Sequence, residues 1–226
     1  MAVNVSLYPK MPFDPAKDFA PITKMATVPN MLVAHPSFSP RTIRDLVAYA
    51  KANPGKVNWA SSGNGAGGHL GMEMFRLLAD IKVVHVPYKG AGPANIGLLG
   101  GEVDLLFANP SVFLPHIKAG RLRAIGIGSL KRIAPLPDVP TFHESGYPRF
   151  EAGSWYGMVA PAGTPAAIIS MMHNETVTVL VLPEILAQFA NEGAQPVGNT
   201  PQAFRQEIRD DIAKWSRVIK EANIKL

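Results

Sequence analysis

The residues best suited to chemistry lie in one glycine-rich stretch, Ser61-Ser62-Gly63-Asn64-Gly65-Ala66-Gly67-Gly68-His69. A strand pattern, Val57 to Ala60, precedes it, and a helical pattern, His69 to Asp80, follows. That order turns backbone N–H groups and the positive end of a helix dipole toward one spot, which suits an anion. Ser61, Ser62 and Asn64 add neutral donors, and His69 stands at the helix start. The same letters can be tested against other chemistries. Gly63-x-Gly65-x-x-Gly68 matches the dinucleotide fingerprint, which also needs an acid at the end of the next strand to hold a ribose. That strand ends Val84-His85-Val86-Pro87-Tyr88, without one. A P-loop would place Lys and then Ser or Thr after its last glycine, where His69-Leu70 stand. A hydrolase elbow reads Gly-x-Ser-x-Gly, which is absent, and no acid is placed to orient His69. The six histidines show no metal-ligand spacing. A glycine-rich turn that holds no ligand is the plain alternative to the anion site.

Two further segments repeat the strand–turn–helix order. Pro87-Tyr88-Lys89-Gly90-Ala91-Gly92-Pro93 follows the strand pattern Val83 to Val86, and Ala108-Asn109-Pro110-Ser111 follows Val103 to Phe107. In an open α/β sheet the carboxyl ends of the strands line the ligand crevice. Tyr88, Lys89, Gly90 and Asn109 therefore join the candidates. Lys89 is the one cation among them, and a solvated loop lysine is its alternative reading. Trp155-Tyr156-Gly157 lies on a later strand after a proline-rich passage; Trp155 is either core or ligand platform.

The elements that must position these residues alternate along the chain. Residues 1–20 read as irregular and extended, interrupted by Pro9, Pro12 and Pro15 with Pro21 close behind. Met31 to Ala34 reads as a buried strand, and Ser39-Pro40 caps a helix over 41–53 with Ile43, Leu46, Val47 and Ala50 on one face. Helices follow over 93–100 and 111–119, with strands over 122–128 and 155–160. Helices over 165–181, 183–191 and 201–223 close the chain. The last carries an apolar stripe, Phe204, Ile208, Ile212, Trp215 and Ile219, which is packing surface. Strands alternating with helices predict α/β architecture with a mostly parallel sheet.

Composition removes several function classes. The chain of 226 residues has no cysteine, so disulfides and thiol chemistry are excluded. Its net charge of +5 comes from scattered Lys and Arg, not a stripe with aromatic partners, so no nucleic-acid partner is expected. The longest apolar run, Val177 to Leu182, is too short to insert in a bilayer. Met1-Ala2-Val3-Asn4 lacks the charged and apolar regions of a signal peptide.

Several stretches together resemble one family: Ser6-Leu7-Tyr8-Pro9-Lys10, Phe13-Asp14-Pro15, Asp18-Phe19-Ala20-Pro21, Ser61 to Leu70, Val86-Pro87-Tyr88-Lys89-Gly90, Leu98-Leu99-Gly100-Gly101-Glu102-Val103-Asp104, Lys118 to Ala124, Leu136-Pro137-Asp138-Val139-Pro140-Thr141, Ser154-Trp155-Tyr156-Gly157 and Ala160-Pro161-Ala162-Gly163-Thr164-Pro165. In this order the chain resembles the substrate-binding receptors of tripartite tricarboxylate transporters, the Bug-type periplasmic solute-binding proteins. The resemblance implies a periplasmic-binding-protein-like α/β fold of two lobes and no enzyme activity or cofactor. It implies a small carboxylate or dicarboxylate as ligand, two membrane transporter subunits as partners, and a periplasmic location. The alternatives are a small α/β hydrolase-like enzyme and a carboxylate-sensing signalling receptor that passes its closed state to a sensor protein. Carried over, Ser61, Ser62, Gly63, Asn64, Gly65 and Ala66 with His69 form a carboxylate loop. Tyr88, Lys89 and Gly90 form its neighbouring wall, and Asn109 and Trp155 close the cleft. Many relatives carry an acid near the position of Ala108, so selectivity for amino-bearing ligands is in question here. Lobe 1 is expected over 1–34 and 152–226, and lobe 2 over 35–151. Family members begin with a secretion signal and a strand–loop–helix unit with a Pro-Gly-Gly-type turn, and this sequence starts downstream of it. Lobe 1 is therefore expected to be truncated, to expose apolar surface that favours a dimer, and to leave the chain alone with weak ligand binding.

Overall fold

The computed structural model describes residues 2–8 and 10–225. The readings that fall on Met1, Pro9 and Leu226 lie outside the described residues. In chain order the elements are α1 (Asn4–Leu7), β1 (Phe19–Pro29), β2 (Met31–Ala34), α2 (Ile43–Ala52), β3 (Asn58–Ser61), α3 (Gly67–Ala79), β4 (Val84–Pro87), α4 (Ala91–Leu99) and β5 (Leu105–Ala108). A 3-10 turn (Pro110–Val112) leads to α5 (Leu114–Lys118). Then come β6 (Arg123–Ile127), β7 (Gly153–Pro161), α6 (Ala166–Leu180), α7 (Pro183–Glu192), β8 (Gln195–Pro196) and α8 (Pro201–Glu221). The chain divides into two compact units. One comprises the residues up to Thr27 together with those from Trp155 onward; the other is Val28–Ser154.

The Val28–Ser154 unit is built on a five-stranded sheet in the order β4-β3-β5-β2-β6. Alternate side chains of its strands point to opposite faces. Met31, Val33, Ala60, Leu106 and Ile127 belong to one buried cluster with Ala94 and Leu98 of α4 and Phe113. The aromatic rings of Phe75, Phe107, Phe142 and Phe150 meet edge-on, stacked or tilted in a second cluster, centroids 4.5–6.4 Å apart. Helix α2 starts at Thr42, whose hydroxyl accepts the Asp45 N–H while the Asp45 carboxylate accepts the Thr42 N–H. The start is thus fixed by this reciprocal pair, and Ser39-Pro40 is not its cap.

The sheet is mixed: β3, β4, β5 and β6 run one way, as expected of a mostly parallel sheet, and β2 runs against them. Strands β3 and β4 are parallel, as are β3 and β5, but β2 runs antiparallel to both β5 and β6. The cause lies in how the chain enters. Asn30 alone separates β1 from β2, and Met31, the first residue of β2, pairs with Ala108 at the carboxyl end of β5. The chain therefore enters the sheet at the edge where β3, β4 and β5 leave it. Strand Met31–Ala34 belongs to this unit, so the division falls earlier than the expected break after residue 34.

The other unit has a three-stranded sheet, β7-β1-β8, with β1 and β8 antiparallel over Ala26–Pro196 and Thr27–Gln195. Two of its elements, α1 and the first part of β1, lie where irregular chain was expected. Helix α8 buries Phe204, Ile208, Trp215, Val218 and Ile219, the expected stripe with Val218 in place of Ile212. Among the described residues no single helix is long and apolar enough to cross a membrane. Helices α6 and α7 reach that length together but are bent by 74° at their junction.

Candidate functional site

Three loops leave β3, β4 and β5 at the same edge, because Ser61 pairs with Pro87 and Ala60 with Leu106 in parallel register. The first two loops are tied through backbone. Tyr88 N–H donates to Ser61 O at 3.0 Å and Gly90 N–H to Ser62 O at 3.2 Å. Gly63 and Gly90 adopt φ of +134° and +113°, conformations that side chains disfavour. The next glycine need is steric. A Cβ on Gly68 would stand 1.9 Å from the Phe107 carbonyl oxygen, so α3 begins directly on the end of β5. Neither α3, whose N-cap is Ala66, nor α4, whose N-cap is Gly90, has a side-chain cap. Their first-turn N–H groups thus have no side-chain acceptor, which is the requirement for an anion seat.

Behind the first loop stands a stack of three rings. His85 lies 4.3 Å from Trp59 and 4.0 Å from His69, centroid to centroid, with planes within 26° and 10°. His69 Nδ1 accepts the Gly65 N–H at 3.0 Å, and His85 Nε2 meets Ser61 Oγ at 2.7 Å. Ser61 Oγ also donates to Gly63 O at 3.0 Å and accepts the Gly63 N–H at 3.2 Å. Burial pushes His69 down to about 4, helped by the neighbouring His85, and burial alone does the same to His85. Both rings are therefore neutral near pH 7 and act as hydrogen-bonding struts of the loop.

The expected residues sort by this geometry. Ser62, Gly63, Asn64, Gly65 and Ala66 form the loop itself, and Asn64 is exposed. Ser61 is wholly buried, and its hydroxyl is committed to His85 and Gly63, so it shapes the loop from behind. The close Ser61–His85 pair makes no nucleophile, because no carbonyl carbon can reach a hydroxyl with 0% exposure. Tyr88 lies across α4: its hydroxyl donates to Glu102 at 3.0 Å, and Gly97 leaves room for its ring. Lys89 is exposed, and Asn109 precedes the 3-10 turn, half-buried. Trp155 belongs to the other unit, where its Nε1–H donates to Asp211 at 2.6 Å and its ring meets Phe204 edge-on at 5.2 Å. Among the described residues no three His, Asp or Glu side chains gather as metal ligands.

One residue escaped the motif reading. Asn30 is 2% exposed, and its Nδ2 has no hydrogen-bond partner. It stands 3.9 Å from where a Cβ on Gly67 would lie, at the first residue of α3, as does Ser154 Oγ. Asn30 reaches this place because β2 enters the sheet at the loop edge. Its signal in the sequence is a single polar residue between Pro29 and the buried run Met31 to Ala34, which no motif marks.

Taken together, the edge offers amide N–H groups, hydroxyls, carboxamides and the exposed Lys89 ammonium, with no carboxylic acid among the candidate residues and no base beside an exposed hydroxyl. Such a set can hold an oxyanion but has no group placed to transform it. Comparison with known proteins agrees in kind. Residues 1–224 match the model of the tripartite tricarboxylate transporter family receptor. BugT of Bordetella pertussis is 38% identical over 226 residues, which is 100% of this chain and 69% of BugT. The chain spans 66% and 65% of two further relatives, so about two thirds of such lengths. The solved R. palustris protein with adipate is 33% identical at a TM-score of 0.85, covering 98% of this chain and 74% of that one. The periplasmic binding protein BugD is 33% identical at 0.83, covering 99% and 76%. The fold is thus periplasmic-binding-protein-like, the family one of receptors and not of enzymes, and the chain belongs to the tripartite tricarboxylate transporter receptor family.

Proposed function

We propose that this chain is the larger part of a periplasmic solute receptor that holds a small carboxylate or dicarboxylate on the loops after β3 and β4 and delivers it to membrane transporter subunits. The observation that carries the reading is the pair of uncapped helix starts, α3 and α4, side by side on parallel strands whose loops are joined by backbone hydrogen bonds. Two positive dipole ends and their free N–H groups favour an oxyanion, and the neutral donors around them orient it. The adipate held by the R. palustris relative is an anion of this class. Ser62, Gly63, Asn64, Gly65 and Ala66 supply the first rim of the seat, and Tyr88, Lys89, Gly90 and Asn109 the second. Ser61 and His69 hold the first rim in shape.

The test is thermal unfolding of the chain against adipate, malate, succinate and the uncharged adipamide. A ligand at a hundred times its Kd stabilises the folded state by about 2.7 kcal/mol. An upward shift with a dicarboxylate and none with adipamide supports the reading. Equal shifts with adipamide and adipate, or none with any acid up to high millimolar concentration, contradict it.

A further inference from the structure

A buried donor without a partner costs free energy, so its place in a fold calls for a reason, and a bound group that pairs with it is one such reason. Asn30 Nδ2 is such a donor. Its backbone is fixed on both sides: Asn30 N–H donates to Ala152 O at 2.8 Å, and Asn30 O accepts the Gly128 N–H at 2.8 Å. The carboxamide therefore cannot turn away by moving the chain. It is directed at the first residue of α3, a helix of 13 residues without a side-chain cap. The space beside Gly67 is a niche. A methyl there would meet only Asn30 Nδ2 and Ser154 Oγ within 4 Å, both at 3.9 Å, an ordinary contact distance. Gly67 itself is exposed, so the niche opens to solvent on that side.

We propose that Asn30 is a ligand-contacting residue that selects for a carboxylate: its Nδ2 donates to one oxygen of the group while the first-turn amides of α3 hold the other. This rests on the carboxylate reading above and adds a residue to it. A charge-assisted bond of this kind contributes roughly ten- to a hundredfold in affinity. An ester or amide of the same acid is uncharged and keeps only one strong acceptor oxygen, so it loses that share.

The experiment is a proton–nitrogen NMR titration of the whole chain with sodium adipate at constant ionic strength, repeated on Asn30→Leu and Gly67→Ala. The Asn30 side-chain amide pair is assigned by its disappearance in Asn30→Leu. In the parent chain, the Asn30 side-chain signals and the Gly67 and Gly68 backbone signals are expected to move along one saturation curve. Asn30→Leu keeps the branched shape without the unpaired donor, so its thermal midpoint should not fall while its adipate affinity drops at least about tenfold. Gly67→Ala fills the niche with a methyl that meets no clash, and should fold normally and bind as poorly. Movement of the α3 signals without Asn30, or unchanged affinity in both variants, overturns the role of Asn30 and leaves the carboxylate reading standing. No movement of any of these signals overturns both.

Discussion

At the scale of single residues, Ser61 and His85 offer a direct test of what holds the loop. Ser61→Ala strips His85 Nε2 of its 2.7 Å partner and releases both Gly63 backbone groups from the hydroxyl. Leaving buried polar groups unpaired costs about 1–3 kcal/mol, and urea unfolding should show a loss in that range. The two stacked imidazoles add a pH dependence. Their folded values near 4 lie below the ordinary 6.5, so the unfolded chain takes up protons first as pH falls. Stability is then fully present above about pH 6.5 and declines progressively toward pH 4. A thermal midpoint that holds constant from pH 7 to pH 4.5 would contradict the neutral, buried state of both rings. The loop was legible in the sequence because glycines and short polar residues between a strand and a helix form a local signal. Asn30 was not, because burial and a missing partner are properties of the folded neighbourhood and leave no mark on a lone asparagine.

At the scale of elements, α3 sets the geometry by its contact with β5. A methyl on Gly68 would collide with the Phe107 backbone, and one on Gly71 would stand 2.5 Å from the Phe107 ring. Backbone cannot yield as a flexible side chain can, so Gly68→Ala should destabilise by about 3 kcal/mol or more, while its neighbour Gly67→Ala should be tolerated. Unfolding midpoints of the two single variants check this; similar values would mean that α3 sits more loosely than described. The amphipathic helices α2 and α8 were readable from their apolar spacing. Strand β1 was hidden by Pro21 and by the irregular burial along it, which breaks simple alternation. Its pairing with β8 involves only Ala26 and Thr27, so the missing N–H of Pro21 costs that ladder nothing. The direction of β2 was also illegible: all four of its residues are buried, and a uniformly apolar strand reads the same for either direction.

At the scale of the whole molecule, α6 and α7 carry much of the exposed apolar surface. Ile168, Met171, Val179, Val181, Leu182 and Leu186 are each at least 38% exposed, and Leu180 is the one buried residue of α6. Surface of this kind favours self-association. Sedimentation of the chain should therefore show a concentration-dependent increase in mass, and Met171→Glu with Val181→Lys should reduce it without lowering the thermal midpoint. A monomer at all concentrations would contradict this. The family was legible because its short motifs recur in order along nearly the whole chain. The identity of the ligand was not, because a seat of backbone amides, as proposed above, leaves no mark on which side chains the sequence carries.

The Val28–Ser154 unit is one uninterrupted stretch of chain whose two ends meet: Asn30 and Ala152 are hydrogen-bonded, and Gly153 packs against the Val28 carbonyl. In the language of genes rather than of packing, it is a cassette. Adjacent ends are what lets a domain be spliced into a surface loop of an unrelated host without prying that host apart. A host protein could carry this stretch between two of its own strands as one piece, with the α3 and α4 starts still side by side.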